Sequence, residues 1–381
     1  MRIPPFLLDQ WLATYEFASP PIRYNLASST GPRWTLGDLL SLGDGTGLKE
    51  LGDLRLSYAP PQGAEALRKQ VAALHDVDPD WVVITTGASE ALSALYCLAS
   101  EPGASITLPF PSFPAMPVMA RAWGLNVSTY ALDRADGFKQ SAERVLAAVG
   151  ESTRLVLVNT PHNPTGSVMP QTELARLAAN LEQRLIPLVV DEVYYPLYHS
   201  APASASAAKL SNTIVVGDLS KALSLPGLRV GWLIDRDARR RERVIDLRSY
   251  FTISGSPLTE AIAAHALANR DEILGRLRAV AAANLVALTD FMSAHEDTLG
   301  WVAPAGGTTV FPWLRDGSDA RDLCVALANA GVLFAPGYCF DAPEHFRLGF
   351  GAQAEGFAQA LNIVSDTLRA PRLSAVAGAR R

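Results

Sequence analysis

The stretch Gly217-Asp218-Leu219-Ser220-Lys221 follows the apolar, β-branched run Thr213-Ile214-Val215-Val216. A run of this kind is typical of a buried strand. A lysine at the end of such a strand is costly to bury unless it is paired or neutral. A desolvated lysine with a lowered pKa is the residue type that forms Schiff bases with carbonyl compounds. For Lys221 taken alone, a surface lysine at a strand end stays an open alternative.

Arg229 follows Lys221 across the turn Leu225-Pro226-Gly227-Leu228. Its guanidinium group is planar and permanently charged, and it suits a phosphate. Lys221 and Arg229 together indicate a site where a reactive amine and a phosphate-binding group lie close to each other.

Short apolar runs alternate with helical segments on both sides of this stretch. The predicted strands are residues 82–86, 105–109, 126–131, 154–159, 187–191, 213–218 and 229–234. The predicted helices are residues 6–16, 64–72, 88–100, 114–123, 138–149 and 170–183, with one or two long helices over 256–290. This rhythm is typical of βαβ units, so we expect an α/β fold with a mostly parallel, helix-flanked sheet.

The domain organisation follows from length and from a change of pattern after residue 300. A chain of 381 residues exceeds the roughly 250–300 residues over which one core keeps growing, so two domains are expected. Short strands and helices alternate after residue 300, which suits a smaller α+β domain. We assign 1–45 to an N-terminal arm and part of the small domain, 46–255 to the large domain, 256–370 to the small C-terminal domain and 371–381 to a disordered tail.

Composition excludes several classes of protein. The net charge of −5 leaves no basic footprint for nucleic acid or an anionic membrane surface. The three cysteines are far apart, show no metal-ligand spacing and suit a reducing compartment. The N-terminus has no signal-peptide pattern, and no segment offers the roughly 18 consecutive apolar residues of a membrane span. We therefore expect a cytoplasmic protein with no metal, no membrane partner and no nucleic-acid partner.

Two glycine-containing segments could bind anions. Thr85-Thr86-Gly87-Ala88-Ser89 lies where a strand ends and a helix begins, and the free N–H groups of a helix N-terminus welcome an anion. An ordinary helix cap has the same appearance. Ser28-Ser29-Thr30-Gly31 could wrap a carboxylate with backbone donors, which makes Ser29 a substrate-binding candidate, or could be a simple turn.

The most specific motif is Asn159-Thr160-Pro161-His162-Asn163-Pro164-Thr165-Gly166, which closes an apolar strand with two prolines and a glycine. Such a dense set of turn residues holds Asn163 rigidly. Its amide can hydrogen-bond a phenolate-like oxygen and a substrate carboxylate. A bare turn is the competing interpretation.

Three further positions carry chemistry. Asp191 ends the buried run Val189-Val190-Asp191 and could pair with a cation or cap a helix, whereas Glu192 alternates to the other face and is expected to be structural. Phe113, in a proline-stiffened loop, could stack on a planar ring or pack in the core. Arg347, inside the apolar run 346–350, needs an anionic partner, either a substrate carboxylate or an acidic side chain.

In this order and spacing, the motifs resemble the fold-type I pyridoxal-phosphate enzymes of the class I/II aminotransferase family, over about residues 20–365. The residues that carry the resemblance are Tyr58, Gly87, Ala88, Ser89, Phe113, Asn163, Asp191, Tyr194, Lys221, Arg229 and Arg347. The resemblance implies an aspartate aminotransferase-like fold, with the cofactor bound in the large domain.

The resemblance also implies roles. Lys221 would hold pyridoxal 5′-phosphate as a Schiff base and then act as general base at the substrate Cα. Asp191 would pair with the ring nitrogen. The other contacts would be Asn163 and Tyr194 to the 3′-oxygen, Phe113 on the ring face, and Gly87, Ala88, Ser89, Arg229 and Tyr58 at the phosphate. Tyr58 would come from the second subunit of an obligate homodimer, and Arg347 would bind the substrate α-carboxylate.

One position departs from the family pattern. Resembling enzymes commonly carry a hydroxyl residue three positions before the lysine, where it contacts the phosphate, and here that residue is Asp218. A second anion there would repel the phosphate unless it turns away, pairs with a cation or is protonated. We keep Ser220 as a possible substitute. The hypothesis is that Asp218 weakens cofactor retention or serves another role.

The expected reaction is transfer of the amino group of an L-amino acid to a 2-oxo acid. The stretches 28–31 and 252–258 also resemble the capreomycidine synthase-like branch, which implies an alternative: a cyclase or eliminase acting on an arginine-derived amino acid. A regulator on the same fold would carry a DNA-binding domain ahead of the first motifs, for which the sequence has no basic patch. A Rossmann dehydrogenase would need a G-x-G-x-x-G turn after its first strand, which is missing.

Overall fold

The structure, a computed structural model, describes residues 3–44 and 51–370. Its helices are α1 (Leu7–Glu16), α2 (Leu36–Leu40), α3 (Glu65–His75), α4 (Gly87–Ala99), α5 (Ala115–Ala122), α6 (Ala142–Ala147), α7 (Gln171–Gln183), α8 (Ala238–Ser249), α9 (Pro257–Ala268), α10 (Arg270–Ala294), α11 (Arg321–Asn329) and α12 (Phe357–Arg369). Its strands are β1 (Tyr24–Asn25), β2 (Val82–Thr85), β3 (Ser105–Phe110), β4 (Asn126–Ala131), β5 (Thr153–Asn159), β6 (Leu188–Asp191), β7 (Thr213–Asp218), β8 (Gly231–Ile234), β9 (Leu299–Gly300), β10 (Thr309–Val310), β11 (Trp313–Leu314), β12 (Val332–Leu333), β13 (Ala335–Pro336) and β14 (Phe346–Gly349).

One seven-stranded sheet organises the fold, in the order β2-β8-β7-β6-β5-β3-β4. Its strands run parallel except at β8, which is antiparallel to both β2 and β7. This confirms the predicted α/β fold with a mostly parallel sheet, and the sheet has the aspartate aminotransferase-like architecture. The predicted strand at 229–234 begins only at Gly231, because Arg229 takes a left-handed conformation with φ 52°.

Helices cover both faces of this sheet. The alternation of strand side chains divides the apolar residues into two cores, so that Val190 faces one layer and Val189 the other. Helices α3 and α7 contribute to the first core, and α4 and α5 to the second. The helix predicted at 138–149 is shorter, since Phe138 has φ 57° and Ser141 caps α6 by accepting a hydrogen bond from the Arg144 N–H.

Small sheets lie at the two ends of the chain. β1 pairs in parallel with β12, which joins the N-terminal segment to the C-terminal part of the chain. β14 lies between β10 and β13, and β9 pairs with β11. The domain boundaries stay a prediction. The boundary at 45/46 and the tail 371–381 lie outside the described residues.

A buried polar network holds the segment after β6. The hydroxyl of Ser206 donates to the Glu192 carboxylate (2.7 Å), and the N–H of Ala207 donates to its other oxygen (2.7 Å). His75 contacts the same hydroxyl through Nδ1 (2.8 Å) and accepts a hydrogen bond at Nε2 from Trp232 (3.1 Å). This arrangement places the imidazole proton on Nδ1. Glu192 lies on the face opposite Asp191, as predicted, and its contacts in this network are structural.

Helix α10 is long and apolar enough to pass a length-and-composition test for a membrane span. It carries charged residues, including Arg270, Asp271 and Arg276, and its buried side chains belong to the first apolar core. These are the properties of a core helix in a folded domain.

Candidate active site

The predicted site residues gather at one edge of the central sheet. β5, β6 and β7 run parallel and end at Asn159, Asp191 and Asp218, and Asn159 pairs in register with Asp191. Ligands of open α/β sheets bind outside the carboxyl ends of the strands. A cavity of about 960 Å³ lies in this part of the molecule, and its lining includes Lys221, Arg347, Ser29 and Ser224.

Lys221 follows β7 and directs its amine into the site. Its Nζ donates a hydrogen bond to the hydroxyl of Ser29 at 2.9 Å. Burial lowers the pKa of Lys221 to about 8, although the negative charge of Asp218 acts in the opposite direction, and Arg347 lowers the pKa further. An amine with a pKa near 8 is partly neutral at physiological pH. Lys221 can therefore act as a nucleophile and as a base.

Asp191 is a buried carboxyl group, and its Oδ1 accepts a hydrogen bond from the N–H of Val193 (3.1 Å). Burial raises the pKa of Asp191 to about 7, the charge of Asp218 also raises it, and Lys221 acts to lower it. The hydroxyl of Tyr96 is buried without a hydrogen-bond partner among the described residues. Burial raises the pKa of Tyr96, and the charge of Asp191 raises it further. A protonated ring nitrogen would give Asp191 the cation that its buried position favours.

A cradle for an anion lies where β2 leads into α4. The first N–H groups of α4 are free of a side-chain cap from Thr86. A Cβ at Gly87, which has φ 75°, would lie 2.6 Å from the guanidinium of Arg229. A Cβ at Gly231 would lie 2.5 Å from the carbonyl carbon of Gly87 and 2.7 Å from the nitrogen of Ala88. The two glycines thus allow the guanidinium and the helix N-terminus to approach each other, as a phosphate requires.

Two of the other predicted phosphate contacts, Ser89 and Ser220, differ in position. Ser89, in the first turn of α4, is exposed. Ser220 accepts a hydrogen bond from Arg229 Nη1 at 3.3 Å, so its hydroxyl lies beside the arginine of the cradle. Both stay predicted contacts of the phosphate.

The turn after β5 is fixed by side chains. Asn159 accepts a hydrogen bond from the Asn163 N–H (2.8 Å) and donates one to the Asp191 carbonyl (3.1 Å). The Oδ1 of Asn163 accepts a hydrogen bond from Arg347 Nη1 at 3.1 Å. The sequence predicted a rigid turn at Asn163 and ligand partners for its amide but no protein partner, and the structure links it to the predicted carboxylate-binding arginine.

Arg347 is only 2% exposed and lies on β14. Its two hydrogen bonds go to neutral oxygens, of Asn163 and, at 2.8 Å, of the Ala27 carbonyl. Its Nε is buried and has no partner among the described residues. Burial lowers the pKa of this guanidinium, which an anionic ligand would oppose. A carboxylate is the ligand that such a group suits best.

Ser29 lies at the centre of the site. Its carbonyl accepts hydrogen bonds from the hydroxyls of Tyr194 (3.1 Å) and Thr308 (2.9 Å), while its own hydroxyl meets Lys221. The preceding Ser28 lies so close to β14 that a Cβ at Gly349 would be 1.8 Å from its carbonyl oxygen. The serine-rich stretch 28–31 therefore packs tightly against β14, the strand that carries Arg347.

The structure places two predicted residues away from these contacts. Phe113 packs edge-on against Phe6 of the N-terminal segment, with ring centroids 5.8 Å apart. Tyr58 is 81% exposed, as a residue that serves a second subunit would be. Their roles at the ring face and at the phosphate stay predictions.

Two polar residues of the site went unnoticed in the sequence. Thr308 lies between short strands with no motif around it, and only its contact with Ser29 identifies it. Ser224 has a left-handed backbone with φ 61°, and its buried hydroxyl has no partner among the described residues and lines the cavity. Its sequence signal was its place in the turn between Lys221 and Arg229.

Comparisons with known proteins agree with this geometry. The family model for aminotransferases of class I and II matches residues 47–364. Capreomycidine synthase of Streptomyces vinaceus is 32% identical over 373 residues, which cover 96% of this chain and 94% of that protein. Among solved structures, a PLP-dependent aminotransferase from Streptococcus suis has a TM-score of 0.89 and 27% identity, covering 97% of this chain and 98% of its own. The PLP-dependent cyclase OrfR has a TM-score of 0.87 and 28% identity, with the same coverage.

Proposed function

The chain belongs to the aminotransferase class I and II family, and from this premise we propose that it transfers the amino group of an L-amino acid to a 2-oxo acid. Its cofactor is pyridoxal phosphate. The observation that carries the proposal is the convergence of Lys221, Arg347 and Ser29 on one cavity. These residues supply a base, a carboxylate-binding group and a hydroxyl partner for the base.

The residues fit the cofactor. Arg229, Gly87 and the start of α4 would hold its phosphate, Asp191 its ring nitrogen, and Lys221 its carbonyl carbon. When bound, pyridoxal phosphate supplies an electron sink for the substrate Cα. The hydroxyl of Tyr194 donates its hydrogen bond to the Ser29 carbonyl in this structure. We propose that it turns to donate to the 3′-oxygen beside Asn163 when the cofactor is present.

Arg347 would bind and orient the substrate. Its buried Nε and its two terminal nitrogens form a fork that matches the two oxygens of an α-carboxylate. Asn163 fixes the plane of this guanidinium by accepting from Nη1. The bound carboxylate then determines which substituent of Cα faces Lys221.

Lys221 would remove the Cα proton. Its lowered pKa leaves a fraction of the amine neutral, and a neutral amine can accept a proton. The hydroxyl of Ser29 stays within hydrogen-bond reach of Nζ and can orient the lone pair of the amine. Tyr194 and Thr308 keep Ser29 in position from the other side.

A second candidate is a cyclase or eliminase acting on an arginine-derived amino acid. The similarity to capreomycidine synthase and to the cyclase OrfR favours it. Asp9 on α1 also favours this candidate. Partial burial raises the pKa of its carboxyl group, and the charge of Lys221 lowers that pKa, so Asp9 lies near the lysine. A carboxylate this near Lys221 suits a cationic side chain.

One measurement separates the two candidates. The holoenzyme is mixed with single L-amino acids, arginine included, without an oxo acid. We expect the cofactor to convert to pyridoxamine phosphate with release of one equivalent of 2-oxo acid. Absorbance monitors the form of the cofactor, and mass spectrometry detects the oxo acid. Added 2-oxo acid should then restore the aldehyde form. A product that accumulates while the cofactor keeps its aldehyde form would establish the second candidate instead.

We also propose a homodimer with shared active sites. Large apolar side chains are exposed near Tyr58 in sequence and in the segment after α8: Leu56, Tyr250, Phe251, Ile253 and Leu258. An exposed apolar set of this size is typical of an interface. Light scattering should give twice the chain mass of 40.8 kDa.

Tyr58→Phe should weaken pyridoxal phosphate about fivefold, the value of one hydrogen bond. Tyr338→Phe, which removes the hydroxyl of a tyrosine stacked against Arg321, is the matched control and should bind the cofactor as the wild type does. A monomeric mass, or equal affinities in both variants, would contradict shared sites.

The three cysteines are unpaired thiols, which agrees with the proposed cytoplasmic location, and cell fractionation tests this location.

A further inference from the structure

Asp218 faces the phosphate side of the site. It is the last residue of β7 and pairs in register with Gly231 of β8. Directly opposite residues of an antiparallel pair lie on the same face of the sheet. On that face, a Cβ at Gly231 would meet the backbone of Gly87 and Ala88. The Asp218 side chain is therefore directed toward the start of α4, where the phosphate would bind.

Asp218 is also a member of a buried charge cluster. It is 7% exposed, and its Oδ1 accepts a hydrogen bond from the Ser220 N–H at 2.9 Å. Its charge raises the pKa of both Lys221, in the turn that follows β7, and Asp191, on the neighbouring β6. Arg229, just before β8, completes the cluster through its contact with Ser220.

Charged groups on the other elements packed against β7 are engaged elsewhere. Glu90 of α4 accepts a hydrogen bond from Thr252 and pairs with Arg248 at 3.3 Å. Lys209, in the short turn before β7, pairs with Asp76. Glu90 is itself an anion, and the two cations, Arg248 and Lys209, are paired with other carboxylates, so none of the three neutralises Asp218.

A bound phosphate would crowd this cluster with negative charge. A phosphate monoester carries about −1.5 to −2 at neutral pH. Lys221, the other nearby cation, would be engaged by the carbonyl carbon of the cofactor. Arg229 is the guanidinium that the described residues bring to the cradle, and one guanidinium cannot balance both the phosphate and an ionised Asp218. A protonated carboxyl group, in contrast, is a hydrogen-bond donor and would act as the usual hydroxyl does.

We propose that Asp218 takes up a proton from solvent as the cofactor binds and donates a hydrogen bond to a phosphate oxygen. No covalent bond forms or breaks in this step. The bound state then holds one more proton at Asp218 than the free state, so affinity for the cofactor falls as pH rises. For one proton, the linkage amounts to about tenfold per pH unit. The inference concerns the cofactor and holds whichever reaction the enzyme performs.

The test measures dissociation constants for pyridoxal phosphate between about pH 6.5 and 8.5, with the full chain freed of cofactor. It compares the wild-type protein with Asp218→Asn and Asp218→Ser. Lys221 and Asp191 titrate in the same range, and their pKa values shift when the charge of Asp218 is removed. The constants for pyridoxal carry the same shift, so the ratio for pyridoxal phosphate is divided by the ratio for pyridoxal at each pH. Asparagine and serine donate hydrogen bonds at every pH. We expect the ratio of wild-type to variant constants to rise by about tenfold per pH unit.

Two controls accompany this comparison. Pyridoxal, which lacks the phosphate, meets Lys221 and Asp191 but not the cradle, so its own ratio should change with pH only through those two residues. Asp136→Asn, which alters a carboxylate paired with Arg144 away from the cradle, should follow the wild-type curve. Circular dichroism and pyridoxal binding show whether each variant is folded.

Each other outcome overturns the inference. A ratio above one that does not vary with pH would mean that Asp218 stays ionised and repels the phosphate. A ratio of one throughout would mean that Asp218 does not contact the phosphate. Weaker binding by both variants at all pH values would mean that the charged form of Asp218 helps to hold the cofactor.

Discussion

Lys221→Ala should abolish covalent attachment of pyridoxal phosphate and slow the amino-acid half-reaction by about 10⁴-fold. The substitution removes the amine that is placed to attack the aldehyde and to move the Cα proton. Borohydride reduction followed by mass spectrometry reads out the attachment, and stopped-flow absorbance the half-reaction. The cofactor should still bind without a covalent bond, because Arg229, Gly87 and Asp191 remain.

Two comparisons sharpen this experiment. Lys209→Ala removes a lysine paired with Asp76 outside the site and should leave both readouts unchanged. Small primary amines in solution should partly restore the proton-transfer rate of the alanine variant, since they replace the missing base. A reducible cofactor adduct in Lys221→Ala would show that another lysine is the anchor.

Arg347→Gln should lower kcat/KM for amino acids by about 10²- to 10³-fold, mostly through KM. Removing one partner of a buried charge pair costs about 2–5 kcal/mol, and here the partner is the substrate carboxylate. Arg347→Lys keeps the charge but loses the planar fork, so its kcat/KM for amino acids should lie between those of the wild type and Arg347→Gln. Steady-state kinetics and the unchanged absorbance of the bound cofactor check this.

The decisive control is an amine substrate that lacks the α-carboxylate. With it, wild type and Arg347→Gln should react at similar rates, because the lost contact no longer has a ligand. Arg321→Gln removes a guanidinium stacked on Tyr338 and should behave as wild type. An equal loss with the amine and the amino acid would show that Arg347 acts on the fold of the site.

Local patterns in the sequence were enough to predict the strands and to place Asp191 and Lys221 at or just after the carboxyl ends of two of them. An apolar β-branched run specifies a buried parallel strand, and parallel strands bring their carboxyl ends to one edge. Asn163 was predictable for a similar reason, since its turn is built from neighbouring residues. The mostly parallel sheet and the family therefore followed from short-range signals.

Contacts between distant segments could not be predicted in this way. The hydroxyl of Tyr194 meets the carbonyl of Ser29, and Thr308 meets the same carbonyl, across most of the chain. No local pattern specifies such a pair, because it depends on how the C-terminal segments pack on the sheet. Asp218 is the intermediate case: the sequence showed the departure, and only the register with Gly231 showed where the carboxylate points.

Asp191, the last residue of β6, and Glu192, which follows it, make this strand intolerant of length changes. Asp191 faces the site, and Glu192 faces the buried network with His75 and Ser206. Because side chains alternate along a strand, deleting or inserting one residue between 188 and 191 would exchange the two faces. The error would turn Asp191 away from the site and break the network at the same time. Single-residue insertions and deletions should be far better tolerated in the small-residue stretch 200–205 than within the four residues of β6.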